Sequence, residues 1–115
     1  MSSDDDRIPL RFGSTPQGGP DVALLLEAER APLRTGFAAV AVYTAGFARH
    51  RPSCRCCGGR DGAGLALAQL FLARARGEAP AFTAVAVVAK TEAGRAAVAE
   101  ALRSDPLASA RFRLA

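Results

Sequence analysis

The chain has 115 residues, half of them apolar, which is enough for one compact core and too little for two full domains. Charged residues make up 23%, so the composition is that of a folded chain and not of a disordered one. The net charge of +4 comes from arginines scattered along the sequence, not gathered on one stripe, so a nucleic-acid partner is not expected.

Residues 1–7, with Asp4, Asp5 and Asp6, read as a disordered acidic tail, and residues 8–115 as a single domain. This amino terminus is the opposite of a secretory signal, and no apolar run approaches the roughly 20 residues of a membrane span. A cytoplasmic protein without a membrane partner is therefore expected. Ile8–Phe12 alternates and reads as a first strand, followed by a Gly- and Pro-rich loop from Gly13 to Pro20. Asp21 before Val22-Ala23-Leu24-Leu25-Leu26 predicts an N-cap and a helix ending before Pro32. Phe37–Tyr43 is an unbroken apolar run with Val40 and Val42, which predicts a second strand buried on both faces.

The stretch from Phe47 to Gly64 is irregular and is the longest predicted loop. Leu65, Leu67, Leu70, Phe71 and Leu72 predict a helix closed by Gly77, with Pro80 beyond it. Phe82–Ala89 predicts a central strand. A helix from Glu92 or Gly94 to Arg103 follows, with alanines 93, 96, 97 and 101, Val98 and Leu102 on its inner face. Ser104-Asp105-Pro106 stops that helix or starts a short turn, and Phe112 and Leu114 close the chain. Three strands alternating with helices predict an α/β protein with a parallel sheet and crossover helices. Two exposed sheet edges would make a homo-oligomer or a covering partner protein reasonable.

Chemistry concentrates in Cys54-Arg55-Cys56-Cys57, the chain's three cysteines. Thiols this close suit one soft cation such as Zn²⁺ better than a disulfide framework. Arg49, Arg51, Arg55 and Arg60 favour the thiolate form. Three sulfurs leave a tetrahedral ion one ligand short, and His50, water, Asp61 or a second subunit could complete it. No Ser/His/Asp grouping or carboxylate pair supports acyl transfer or acid–base catalysis, so an enzyme is not expected.

The loop after the first strand, Ser53-Cys54-Arg55-Cys56-Cys57, the helix behind it, Phe82–Ala89 and Leu102–Leu114, in that order, resemble the amino-terminal part of the CobW-like P-loop GTPases. Those are metallochaperone-type GTPases of the CobW, HypB and UreG group. The resemblance covers roughly residues 8–114. It implies a small three-layer P-loop-NTPase-like half domain with a short, mostly parallel sheet and crossover helices. It also implies metal handling on behalf of a client or partner protein. Gly13 and Gly18 keep the outer frame of the family's phosphate loop, but Gly19 stands at the lysine position and Pro20 at the hydroxyl position. The remnant loop Gly13, Gly18, Gly19 thus lacks the lysine and the Mg²⁺-holding hydroxyl. Pro20 also removes a backbone donor. The Glu-x-x-Gly element has no counterpart around Val88, Ala89 and Lys90, and no Asn-Lys-x-Asp element follows. GTP and Mg²⁺ are therefore not expected as cofactors, and hydrolysis by the family mechanism is expected to be lost. Three alternatives remain open: a regulatory module docking on a partner GTPase or on itself, residual nucleotide binding by the glycine loop, and a redox role for the vicinal thiols.

Overall fold

The structure is a computed structural model that describes residues 7–13, 19–30, 36–44 and 62–115. Among these, five strands and three helices follow one another as β1 (Ile8–Phe12), β2 (Val22–Glu27), β3 (Val40–Tyr43), α1 (Gly62–Ala75), β4 (Ala84–Val88), α2 (Glu92–Ser104), α3 (Pro106–Arg111) and β5 (Phe112–Leu114). The protein is α/β, with a short parallel sheet and crossover helices. The strands form one sheet in the order β3-β2-β4-β1-β5, and every pairing is parallel.

Three strands depart from the sequence reading. Val22-Ala23-Leu24-Leu25-Leu26 is not a helix capped by Asp21 but strand β2. A short apolar run without polar interruptions carries no period, so periodicity alone does not separate a buried strand from a buried helix. Position decides the matter: β2 is flanked by β3 and β4, and Ala23, Leu24 and Leu25 are all buried. The Asp21 carbonyl accepts from Thr83 N–H at 2.8 Å, tying the entry of β2 to that of β4. The second addition is β5, which lies beside β1 with Phe112 opposite Ile8. The sheet thus has five strands where three were expected.

The third correction concerns residues 37–43. Only Val40–Tyr43 forms a strand, and it lies at the edge, with Ala41 and Tyr43 buried and Val40 and Val42 half-buried. Its unbroken apolarity therefore does not mark burial on both faces.

The core lies between one face of the sheet and the helices. Leu10, Leu25, Val85, Val87 and Phe112 come from the strands, and Leu67, Leu70, Val98, Ala101 and Ala108 from the helices. Small residues at Ala63, Gly64, Ala66 and Ala68 let α1 approach closely. α1 ends where expected, at Gly77, whose φ of +76° lies in the left-handed region that glycine adopts without penalty. Glu78 N–H reaches back to the Ala73 carbonyl at 2.8 Å, satisfying a terminal acceptor. Arg74 then donates to the Phe82 carbonyl at 2.8 Å, joining the helix end to the approach to β4.

In α2 the inner face is narrower than expected: Gly94, Val98 and Ala101 are buried, whereas Ala93 and Ala96 are exposed. Asp105 stops α2 and starts α3. Its N–H bonds the Ala101 carbonyl at 2.9 Å, while its carboxylate accepts from Leu107 N–H at 3.0 Å and Ala108 N–H at 3.2 Å. Pro106 occupies the first turn of α3, where a missing N–H costs nothing.

Candidate functional site

In a parallel α/β sheet, ligands bind outside the carboxyl ends of the strands. Here that edge gathers Phe12 and Gly13 from β1, Glu27 from β2, Tyr43 and Thr44 from β3, and Lys90 and Thr91 between β4 and α2. Gly13 N–H bonds the Val87 carbonyl at 3.0 Å, which keeps the β1 exit beside β4.

Glu27 organises the middle of this edge. One carboxylate oxygen accepts from Lys90 N–H at 2.6 Å and Thr91 N–H at 2.9 Å, and the other accepts from the Thr91 hydroxyl at 2.8 Å. Thr91 in turn caps α2, its side-chain oxygen accepting from Gly94 N–H at 2.9 Å. The positive amino-terminal end of α2 is thus occupied by the protein's own carboxylate. Gly94 suits this packing, because a Cβ at that position would meet the Glu27 carboxylate and force it to move. Tyr43 completes the arrangement by donating its hydroxyl to the Gly94 carbonyl at 3.0 Å. Burial, followed by the negative charge of Glu27, pushes the Tyr43 phenol up to about 12, with Arg95 opposing. It acts as a neutral donor.

The thiol-bearing stretch is attached at the same edge. Cys54, Cys56, Cys57 and His50 lie outside the described residues, but the chain that carries them leaves after Thr44 and returns at Gly62. These two ends meet closely: a Cβ on Gly62 would stand 2.9 Å from the Thr44 carbonyl oxygen. Beside this neck is an open cleft of about 410 Å³ lined by Tyr43, Thr44, Gly62, Leu65 and Gln69. Among the described residues, no three His, Cys, Asp or Glu side chains converge as a metal site.

Of the remnant phosphate loop's glycines, Gly13 and Gly19 are separated by the fold. Gly13 follows β1, Gly18 lies outside the described residues, and Gly19 bridges to Phe37 at the entrance to β2. A phosphate loop presents its anion to a helix amino terminus. Gly19 instead leads into a strand. Sequence reasoning does not find Glu27, Tyr43, Thr91 or Gly94. Thr91 before an alanine-rich helix carries a cap signal, but its partner Glu27 is remote in sequence, and no local pattern links them.

No protein-family model, curated protein or solved structure matches the chain. Among the described residues no helix is long and apolar enough to cross a membrane.

Proposed function

We propose that the protein binds Zn²⁺ or a similar soft divalent metal through Cys54, Cys56 and Cys57, and serves in metal handling as a CobW-like protein that no longer hydrolyses GTP. The observation that carries this reading is that all three thiols fall on residues 45–61, whose flanking residues Thr44 and Gly62 meet at the carboxyl edge of the sheet. A segment closed at its neck limits the chain entropy lost when several of its side chains converge on one ion. The donor set fits: thiolates are preferred ligands of soft metals, and the adjacent arginines favour deprotonation. His50 is a candidate fourth ligand. Loss of nucleotide chemistry is supported by Gly19 and Pro20 in place of the lysine and hydroxyl, and by the strand that comes after them.

Purification without chelator, followed by elemental analysis, is expected to give about one metal per chain or per dimer, removable by chelation. Changing all three cysteines to serine is expected to abolish it. Unchanged metal content in that variant would overturn the reading. GTP with Mg²⁺ is expected to give no binding heat on the same sample.

A second reading, a self-associating or partner-docking module, is favoured by the position of β3 and β5 as the end strands of the sheet. Mass in solution, with and without metal, separates it from the first. A monomer in both states counts against it.

A further inference from the structure

The end strand β3 leaves main-chain groups without partners. Leu24 N–H bonds the Ala39 carbonyl at 2.8 Å and Ala28 N–H the Tyr43 carbonyl at 3.0 Å, so residues 39, 41 and 43 turn their main-chain groups to β2. By strand alternation Val40 and Val42 turn theirs outward, where nothing among the described residues bonds them. The strand, Val-Ala-Val-Tyr, carries no charge or proline of the kind that blunts an edge, whereas β5 carries Arg113.

Helix α1 runs beside this edge in the opposite direction. It starts against Thr44, where a Cβ on Gly62 would stand 2.9 Å from the carbonyl oxygen, and ends near the approach to β4, where Arg74 reaches the Phe82 carbonyl. From Gly62 to Ala73 it has no charged side chain. Leu65, Gln69 and Leu72 follow one another along one line of the helix, and Leu65 and Gln69 wall the open cleft next to Tyr43. Arg76 extends this line, its N–H still bonded to the Leu72 carbonyl at 2.9 Å. Leu72 is 39% exposed, a large apolar side chain left partly in water.

We infer that two copies of this chain join through β3 and α1 about a two-fold axis. Antiparallel pairing lets Val40 of each protomer exchange main-chain bonds with Val42 of its partner, which sets the axis at Ala41. From Ala41 to Thr44 the strand advances about 10 Å. Starting at the level of Thr44, α1 returns to the axis after about seven residues, at Gln69. Leu65 of each protomer then stands opposite Leu72 of its partner, so strand and helix, read separately, place the axis at one level. The same symmetry brings the exposed Glu29, beyond the carboxyl end of β2, to Arg76 at the opposite edge of the partner's sheet. Within the chain, Arg76 pairs only with Glu78 at 4.0 Å, both largely in solvent, a contact that holds it weakly. A register that matches itself in this way selects a second copy over an unrelated protein. The proposal rests on the self-association reading above and names its surface.

Sedimentation of the full chain over a concentration series in chelator is expected to show a monomer–dimer equilibrium between 11.9 kDa and twice that mass. Leu72→Glu, exposed in the monomer, is expected to weaken the dimer at least about tenfold by setting a carboxylate against Leu65. Val42→Pro removes an outward N–H without touching a bond to β2 and is expected to act likewise. Thermal melting of both variants checks folding. Glu29→Arg and Arg76→Glu each oppose like charges and are expected to weaken self-association severalfold, while an equimolar mixture of the two recovers it, because every mixed contact is again opposite in sign. A contact within one chain could not produce that recovery. A monomer with and without metal would overturn both the proposal and the self-association reading. A dimer seen only with metal, one unchanged in folded Leu72→Glu protein, or a mixture no tighter than its components would overturn the proposal and leave that reading standing.

Discussion

Helices α1 and α2 lie in contact on the same core, yet they are held in different ways. α1 buries Ala63, Gly64, Ala66, Leu67, Ala68 and Leu70 and has no acidic residue in its first turn, so packing carries it. α2 buries only Gly94, Val98 and Ala101. It is fixed by its ends: Thr91 and Glu27 at the start and Asp105 at the finish. A helix with little buried area can still be placed accurately when its orphan amides have assigned partners. That accuracy matters here, because the start of α2 supplies the partners of the Glu27 carboxylate.

The largest effect should come from attacking packing in α1. Leu67 is fully buried, so Leu67→Ala is expected to cost ~2–5 kcal/mol in denaturant unfolding. Next is Gly94→Ala at the start of α2, where the added methyl displaces the Glu27 carboxylate; a loss of ~1–3 kcal/mol is expected. Glu27→Ala in the same chain should recover part of that loss by removing the collision. Additive losses in the double variant would refute the pairing of the two residues. Thr91→Ala removes the cap and should cost about 1 kcal/mol.

The smallest effect at neutral pH is a titration. With the folded phenol of Tyr43 at about 12 against an ordinary 10.0, its stabilising contribution is complete below pH 10.0 and disappears as pH rises through about 12. Tyr43 is the single tyrosine, so phenolate absorbance reads this transition directly. Tyr43→Phe should remove that component of the alkaline loss of stability.

Local signals explain which parts of this molecule are legible from its residues. The first strand, the β4 core, the Gly77 stop and the span of α2 are marked by periodicity, glycine chemistry or caps within a few residues. β2 reads as a helix because residues 22–26 are apolar throughout, and only its neighbours β3 and β4 make it a strand. β5 and α3 are too short to carry a period. The Glu27 cluster has no sequence signature because its partners meet only after β2 and β4 have paired. The proposal of soft-metal chemistry rests on the type and spacing of the cysteines, while the neck at Thr44 and Gly62 is a product of tertiary structure.

The strand order has a further consequence for how the chain reaches this state. Ile8–Phe12 pairs with β4 and β5 and not with the strand that comes next in sequence. During synthesis it must wait for Ala84–Val88, and its second edge for Phe112–Leu114. Closing so wide a loop is slow, and a largely apolar strand kept waiting with unpaired amides is open to wrong partners. β1 precedes the other described strands in the chain yet is among the last to be secured, so assembly of this sheet is governed by the later strands β4 and β5.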